Sequence, residues 1–210
     1  MKISYGLTVC NEHKELLNLI IYLESRIDPE DEIVVVYDQN RVTDEVMSVL
    51  EQYKEKIHYY PFNFQQNFLE NKNYLGSKCT GDYIFQIDAD EIPEEFLVQN
   101  LKQLVESNPV DCFIGPRKNL VEGLTQEHIK KWGWNVNENG WVNWPDPQKR
   151  IYKNNPNIQW SGHQVHGMVE GYKTYIVLPF EEEFSIIHNK TIDRQEKQND
   201  RYAKIDLKQI

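Results

Sequence analysis

The run Glu32-Ile33-Val34-Val35-Val36-Tyr37 constrains the fold more than any other stretch of this chain. Consecutive β-branched residues without polar alternation suit a strand covered on both faces, as in a parallel sheet. Similar strands fall on either side of it. Ile3-Ser4-Tyr5-Gly6-Leu7-Thr8-Val9 reads as a buried strand, followed by a helix with Leu16, Ile20, Leu23 and Ile27 at helical spacing. Thr43 can cap a second helix with Asp44 and Glu45 in its first turn and Val46, Val49/Leu50 and Tyr53 on one face. Ile57-His58-Tyr59-Tyr60 is a short strand that Pro61 should end. A polar helix is expected from about residue 65 to 79, then the strand Tyr83-Ile84-Phe85-Gln86-Ile87, a helix opened by Pro93, and a strand Val110 to Gly115. Strands alternating with crossover helices imply an α/β fold, a doubly wound and mostly parallel sheet flanked by helices.

After Gly115 the chain turns rich in Trp, Asn, Gly and Pro, and four of its five tryptophans lie between Trp132 and Trp144. Short strands are expected at 150–153, 174–178 and 184–187, and a charged helical tail from Thr191, including the stretch Asp193 to Lys208. With 210 residues, this half reads as an elaboration on the sheet within a single domain, residues 1–210.

Composition excludes several classes. Hydrophobic residues make up 40% of the chain, which excludes disorder. The longest apolar run near the start is too short to span a bilayer, and no signal peptide is visible. Three cysteines, Cys10, Cys79 and Cys112, lie far apart without metal spacing, which points to reduced thiols and a cytoplasmic protein. A formal charge of -10 argues against nucleic-acid binding. It leaves room for a small anionic ligand, because a metal ion can reverse the local sign.

Ligands of open parallel sheets sit beyond the carboxyl ends of the strands. Three polar clusters fall there: Thr8-Val9-Cys10-Asn11-Glu12, Tyr37-Asp38-Gln39-Asn40 and Asp88-Ala89-Asp90-Glu91. Asp88 and Asp90 can meet a hard cation together with phosphate oxygens, or they can be acids at a helix start. Asp38 can accept from a base or a ribose hydroxyl, or close a turn on its own backbone. Thr8 and Glu12 carry the same pair of readings, as a strand-end hydroxyl and a helix-start acid. Lys72 can neutralise phosphate or sit solvated. His163, His166 and His188 can ligate Mn²⁺ or Zn²⁺, or be ordinary hydrogen-bonded histidines. The tryptophans can form a sugar platform or a core.

Together these residues resemble the family 2 nucleotide-sugar glycosyltransferases of the GT-A fold, over roughly Ile3 to Tyr202. The resemblance rests on Leu7-Thr8-Val9-Cys10-Asn11-Glu12, on Val34-Val35-Val36-Tyr37-Asp38, and on Asn71-Lys72-Asn73 followed by Cys79-Thr80-Gly81-Asp82-Tyr83-Ile84 and Asp88-Ala89-Asp90-Glu91. The second half is similar to the bacterial lipopolysaccharide-core β-glycosyltransferase branch, through Trp144-Pro145-Asp146-Pro147-Gln148-Lys149-Arg150, Trp160-Ser161-Gly162, Val165-His166 and His188. It departs at Gly167, where that family often has Glu, and at Lys72, where Arg is common.

The resemblance implies a GT-A sheet with residues 1–115 as a nucleotide-binding half and residues 116–210 as a Trp-rich acceptor-side half ending in a helix. It implies inverting transfer from a nucleoside-diphosphate sugar, a uridine one, to a hydroxyl on a glycan or lipid-glycan. Thr8, Val9, Asn11, Glu12, Asp38, Lys72, Asp88 and Ala89 would contact the nucleotide. Asp88, Asp90 and His188, with His166 as the alternative third ligand, would hold Mn²⁺ or Mg²⁺. Asp146 would be the catalytic base, with Glu91 and Glu170 in reserve. Competing readings are a nucleotidyltransferase, against which the glycine-free stretch from Thr8 to Glu15 counts, and a non-catalytic carbohydrate-binding protein.

Overall fold

The structure, a computed structural model, describes the backbone of residues 1–206, and the side chains through Asp200 together with Tyr202. In chain order the first elements are β1 (Ile3–Val9), α1 (His13–Glu24), β2 (Glu32–Asp38), α2 (Asp44–Gln52), β3 (His58–Phe62), α3 (Phe68–Lys78) and β4 (Tyr83–Asp88). β1 pairs in parallel with β2 and β4, and β2 in parallel with β3.

The β2 run is apolar throughout because both of its faces are covered. Ile33 and Val35 pack with Leu16, Leu19, Leu23, Val46 and Leu50 of α1 and α2, while Val34 and Val36 face Leu75 of α3 and Trp160. Each fully buried valine contributes about 1.5–3 kcal/mol of hydrophobic stabilisation before entropy is set against it. On the α3 side, Gly6 lets the helix come close: a β-carbon there would sit 3.1 Å from Leu75 Cδ2. Thr43 caps α2 as its sequence suggests, accepting from the Val46 amide at 3.4 Å.

Two prolines behave differently from expectation. β3 continues through Pro61 to Phe62 because it is the sheet's edge strand, where a missing N–H faces no partner. Pro93 opens no helix. It ends the short strand β5 (Glu91–Pro93), and α4 (Glu95–Ser107) starts two residues later.

The remaining elements are β6 (Cys112–Gly115), β7 (Arg117–Glu122), α5 (Gln126–Trp132), β8 (Gln148–Lys153), β9 (Gln159–Ser161), β10 (Met168–Glu170), β11 (Tyr175–Val177), a 3₁₀ turn (Glu182–Phe184), β12 (Ile186–Thr191) and α6 (Ile192–Asp206). The main sheet has the order β11-β6-β8-β4-β1-β2-β3. It is mostly parallel, but β8 runs antiparallel to both β4 and β6 and separates them. The sheet is therefore mixed, and two strands of the second half, β8 and β11, belong to it. A smaller sheet, β5-β12-β7, and the pair β9–β10 lie outside it.

The expected strands at 150–153, 174–178 and 184–187 correspond to β8, β11 and β12, with β12 beginning and ending later. The charged tail is helical as α6, and Lys208 lies outside the described residues. Four tryptophans sit in two half-buried pairs: the Trp132 and Trp134 rings are 4.6 Å apart and those of Trp141 and Trp144 4.7 Å apart. Trp160 is buried beneath α3. Among the described residues no helix is long and apolar enough to cross a membrane, and none of the three cysteines is in a disulfide.

Candidate active site

A cleft of about 880 Å³ opens at the carboxyl ends of β1, β2 and β4, lined by Thr8–Glu12, Asp38 and Asp88–Asp90, and also by residues of β7, β8, β12 and α6. Parallel register sets Thr8 beside Asp88, so the Thr8 hydroxyl donates to Asp88 Oδ1 at 2.9 Å. Arg150, on β8, donates from one terminal nitrogen to Asp88 Oδ2 at 2.8 Å and to Glu91 Oε1 at 3.1 Å. Lys72 reaches Asp88 Oδ1 at 3.6 Å and lies over the Trp160 ring at 4.1 Å. Burial alone would raise the Asp88 pKa, but the Arg150 and Lys72 charges hold it well below the usual carboxylate range. Lys72 is shifted down to about 8, because burial outweighs its acidic neighbours.

Both oxygens of Asp88 are thus engaged by protein donors. Among the described residues no three His, Cys, Asp or Glu side chains gather as a metal cluster. Asp90 and His188 do meet, with Asp90 Oδ2 at 3.3 Å from His188 Nε2. Burial again pushes the Asp90 pKa up, and the His188 contact more than offsets it, giving about 2. Arg194 of α6 approaches the same Asp90 oxygen at 3.4 Å and also binds Glu12 at 3.0 Å and Glu15 at 3.2 Å. His166 lines the cleft too, but its ring lies against His163 and Tyr202.

The other predicted nucleotide contacts also reach the cleft, several of them already bonded within the protein. Glu12 Oε2 accepts from the Cys10 and Asn11 amides at 2.8 and 3.0 Å. Asp38 is buried and closes a turn by accepting from the Asn40 amide at 3.0 Å, so its turn role and its place in the cleft coexist. Val9, Asn11 and Ala89 line the wall. Flanking Lys72, Asn73 clamps β9 to α3 by exchanging two hydrogen bonds with the Trp160 backbone, at 2.8 and 2.9 Å.

Asp146 has a left-handed backbone, φ 42°, just after the cis peptide Trp144-Pro145. Its Oδ2 accepts from Arg117 Nε at 2.8 Å and Asn119 Nδ2 at 2.7 Å, and its Oδ1 from Gln148 at 2.9 Å. The two reserves lie elsewhere. Glu91 is fully buried between Arg117 and Arg150, and Glu170 accepts from Ser161 on the β9–β10 pair. Gly167, which replaces the family's frequent Glu, has no room for a side chain: a β-carbon would lie 2.1 Å from Leu69 Cδ2 and 2.7 Å from the Ser161 carbonyl.

Arg117, Asn119, Lys190 and Arg194 are the site residues that sequence reading missed. The two on β7 are two apart and so share a strand face, the one local signal available. The cleft also differs in sign from the molecule. Eight Lys and Arg side chains line it against five Asp and Glu, while the whole chain has 23 against 33. An excess of cationic side chains at the carboxyl ends of the strands of an α/β protein suits a small anionic ligand.

The class is narrowed by comparison with known proteins. The family described as Glycosyl transferase family 2 matches residues 4–184, and the chain belongs to that family. Among solved structures, Staphylococcus aureus TarS 1-349 superposes with a TM-score of 0.60 at 14% identity, covering 90% of this chain and 60% of that one. The same fragment in complex with UDP gives 0.57 at 16%, covering 85% and 61%. Its complex with UDP-GlcNAc gives 0.55 at 17%, covering 88% and 60%. At these identities the likeness is one of fold, and the chain spans about 60% of the length of those fragments. No curated protein matches.

Proposed function

We propose that the protein transfers a sugar, with inversion, from a UDP-sugar to a hydroxyl of a saccharide acceptor in the cytoplasm. The observation that carries this reading is the change of sign in the cleft around the Asp90–His188 pair, at the strand ends where this fold binds ligands. The UDP and UDP-GlcNAc complexes of TarS, a protein of similar fold, support the choice of nucleotide. For a saccharide of the lipopolysaccharide-core kind the support is the sequence of the second half alone.

A divalent cation fits part of the predicted ligand set. Asp90 and His188 offer a carboxylate oxygen and an imidazole nitrogen on one side, a combination that suits Mn²⁺. Asp88 would have to release Thr8, Lys72 or Arg150 to join them, and as arranged it serves instead to fix those two cations. A bound cation would supply Lewis-acid stabilisation of the charge developing on the diphosphate.

The chain's own groups account for the rest. Lys72, Lys190 and Arg194 line the cleft and can stabilise the leaving diphosphate electrostatically. Asp146, held in place by Arg117, Asn119 and Gln148, accepts the proton from the acceptor hydroxyl. That oxygen then bonds to the anomeric carbon while the bond to the diphosphate breaks and UDP departs with the electron pair.

Calorimetric titration of UDP, with Mn²⁺ and then with EDTA, tests the reading. Wild type should bind in a metal-dependent way, and Asp90→Ala should lose at least tenfold in affinity. UDP binding that ignores both EDTA and the substitution, or no binding at all, would sink it.

A further inference from the structure

Asp90, His188 and Asp146 all line the cleft, and the Asn119 side chain touches both the histidine of the pair and Asp146. The oxygen of Asn119 lies 2.9 Å from His188 Nδ1, and its amide nitrogen lies 2.7 Å from Asp146 Oδ2 and 3.3 Å from the Val142 carbonyl. Chemistry fixes which way this amide points. The Val142 carbonyl can only accept, so the end facing it is the NH₂. The oxygen is left facing His188, and since it too can only accept, Nδ1 of His188 must carry the hydrogen.

The backbone holds this geometry through strand register. Asn119 and His188 are direct partners in the parallel β7–β12 ladder, and the Asn119 carbonyl accepts from the Val142 amide at 3.0 Å. With Nδ1 protonated, only a doubly protonated His188 can donate from Nε2 to Asp90 Oδ2 at 3.3 Å; the neutral ring turns its Nε2 lone pair towards that oxygen, and a cation between them would relieve the facing acceptors.

We propose that Asn119 is a positioning residue that sets the His188 tautomer and holds Asp146 at the same time, coupling the donor and acceptor sides of the site through one amide. The inference rests on the roles proposed above for His188 and Asp146. Groups that orient a metal-ligating histidine typically change metal affinity by 10–100-fold when removed.

Two variants separate the two contacts. Asn119→Asp keeps an acceptor for His188 Nδ1–H but sets a carboxylate against Asp146, while Asn119→Leu removes both contacts at similar size. In long-range ¹H–¹⁵N spectra of the metal-free protein at pH 8, wild type and Asn119→Asp should show His188 as the Nδ1–H tautomer. Asn119→Leu should lose it. Mn²⁺-dependent UDP affinity should fall about tenfold or more in Asn119→Leu and much less in Asn119→Asp. Release of UDP from UDP-sugars should fall about tenfold or more in both. Thermal unfolding of each variant checks that it folds.

An unchanged tautomer in folded Asn119→Leu, or equal Mn²⁺-dependent affinities in the two variants, would overturn the inference. A wild type with the Nδ1–H tautomer but no metal-dependent UDP binding would overturn the functional reading and still support the Asn119–His188 contact, because the tautomer is read without metal or nucleotide.

Discussion

Arg150 shows how a single residue can organise the floor of this cleft. It is buried, it bridges Asp88 and Glu91, and its pKa is raised further because those carboxylates outweigh the cost of burial. Its Nε and second terminal nitrogen have no hydrogen-bond partner among the described residues, so the Asp88 and Glu91 contacts carry the compensation for its charge. Removing it would leave Arg117 as the cation on Glu91, and the more distant Lys72 as the cation on Asp88. Arg150→Met should therefore destabilise the fold by about 3–5 kcal/mol, the usual cost of stripping one partner from a buried pair. Urea unfolding measures this, and a loss below about 1 kcal/mol would show that the network tolerates its absence. At this scale the sequence made the strand-end acids legible, because a carboxylate following an apolar run marks its own position. It could not show that both Asp88 oxygens would be taken, nor bring Asn119 to His188, since those contacts depend on which strands lie side by side.

Elements were legible where burial is two-sided. β2 was readable because every residue from Ile33 to Val36 is covered, whereas Pro61 and Pro93 misled because tolerance of proline depends on edge position, which is not a local property. At the opposite end of the strands from the cleft, Glu32 ties several elements together. Its carboxylate accepts from Lys2, Ser4, the Thr80 amide and the Thr80 hydroxyl, at 2.6 to 2.8 Å. Burial would raise its pKa, but these donors prevail and hold it at about 2, against an ordinary value of 4.5. The folded pKa lies below the unfolded one, so the stabilisation is fully present above about pH 4.5 and is lost as pH falls towards 2. Its size is on the order of 3 kcal/mol. Urea unfolding at about pH 6 and about pH 3 should show a shallower acid loss in Glu32→Gln than in wild type, and identical slopes would refute the assignment.

For the molecule as a whole, net charge was readable but its distribution was not. The sequence left room for an anion on an acidic protein because a metal ion can reverse the local sign. The fold does much of this itself, drawing Lys72, Arg117, Arg150, Lys190 and Arg194 from five different elements into one cleft. Binding that relies on such a field weakens as salt screens it. UDP affinity should fall several-fold between about 0.05 and 0.5 M salt, and calorimetry across that range should show it. An affinity indifferent to salt would point to contacts made by uncharged groups.

The antiparallel strand β8 also has a consequence for the order in which the molecule can assemble. In the finished sheet β4 and β6 both pair with β8, and β6 has no other neighbour among the strands that precede β8 in the chain. A ribosome that has delivered everything through β7 has therefore delivered a sheet with a gap at its centre, with β4 exposed as an unsatisfied edge. Closing the gap requires a long-range pairing, which is entropically costly and slow compared with the local βαβ steps before it. The nascent chain thus keeps a sticky edge until Gln148–Lys153 emerges, and the two halves of the sequence reach their native state together.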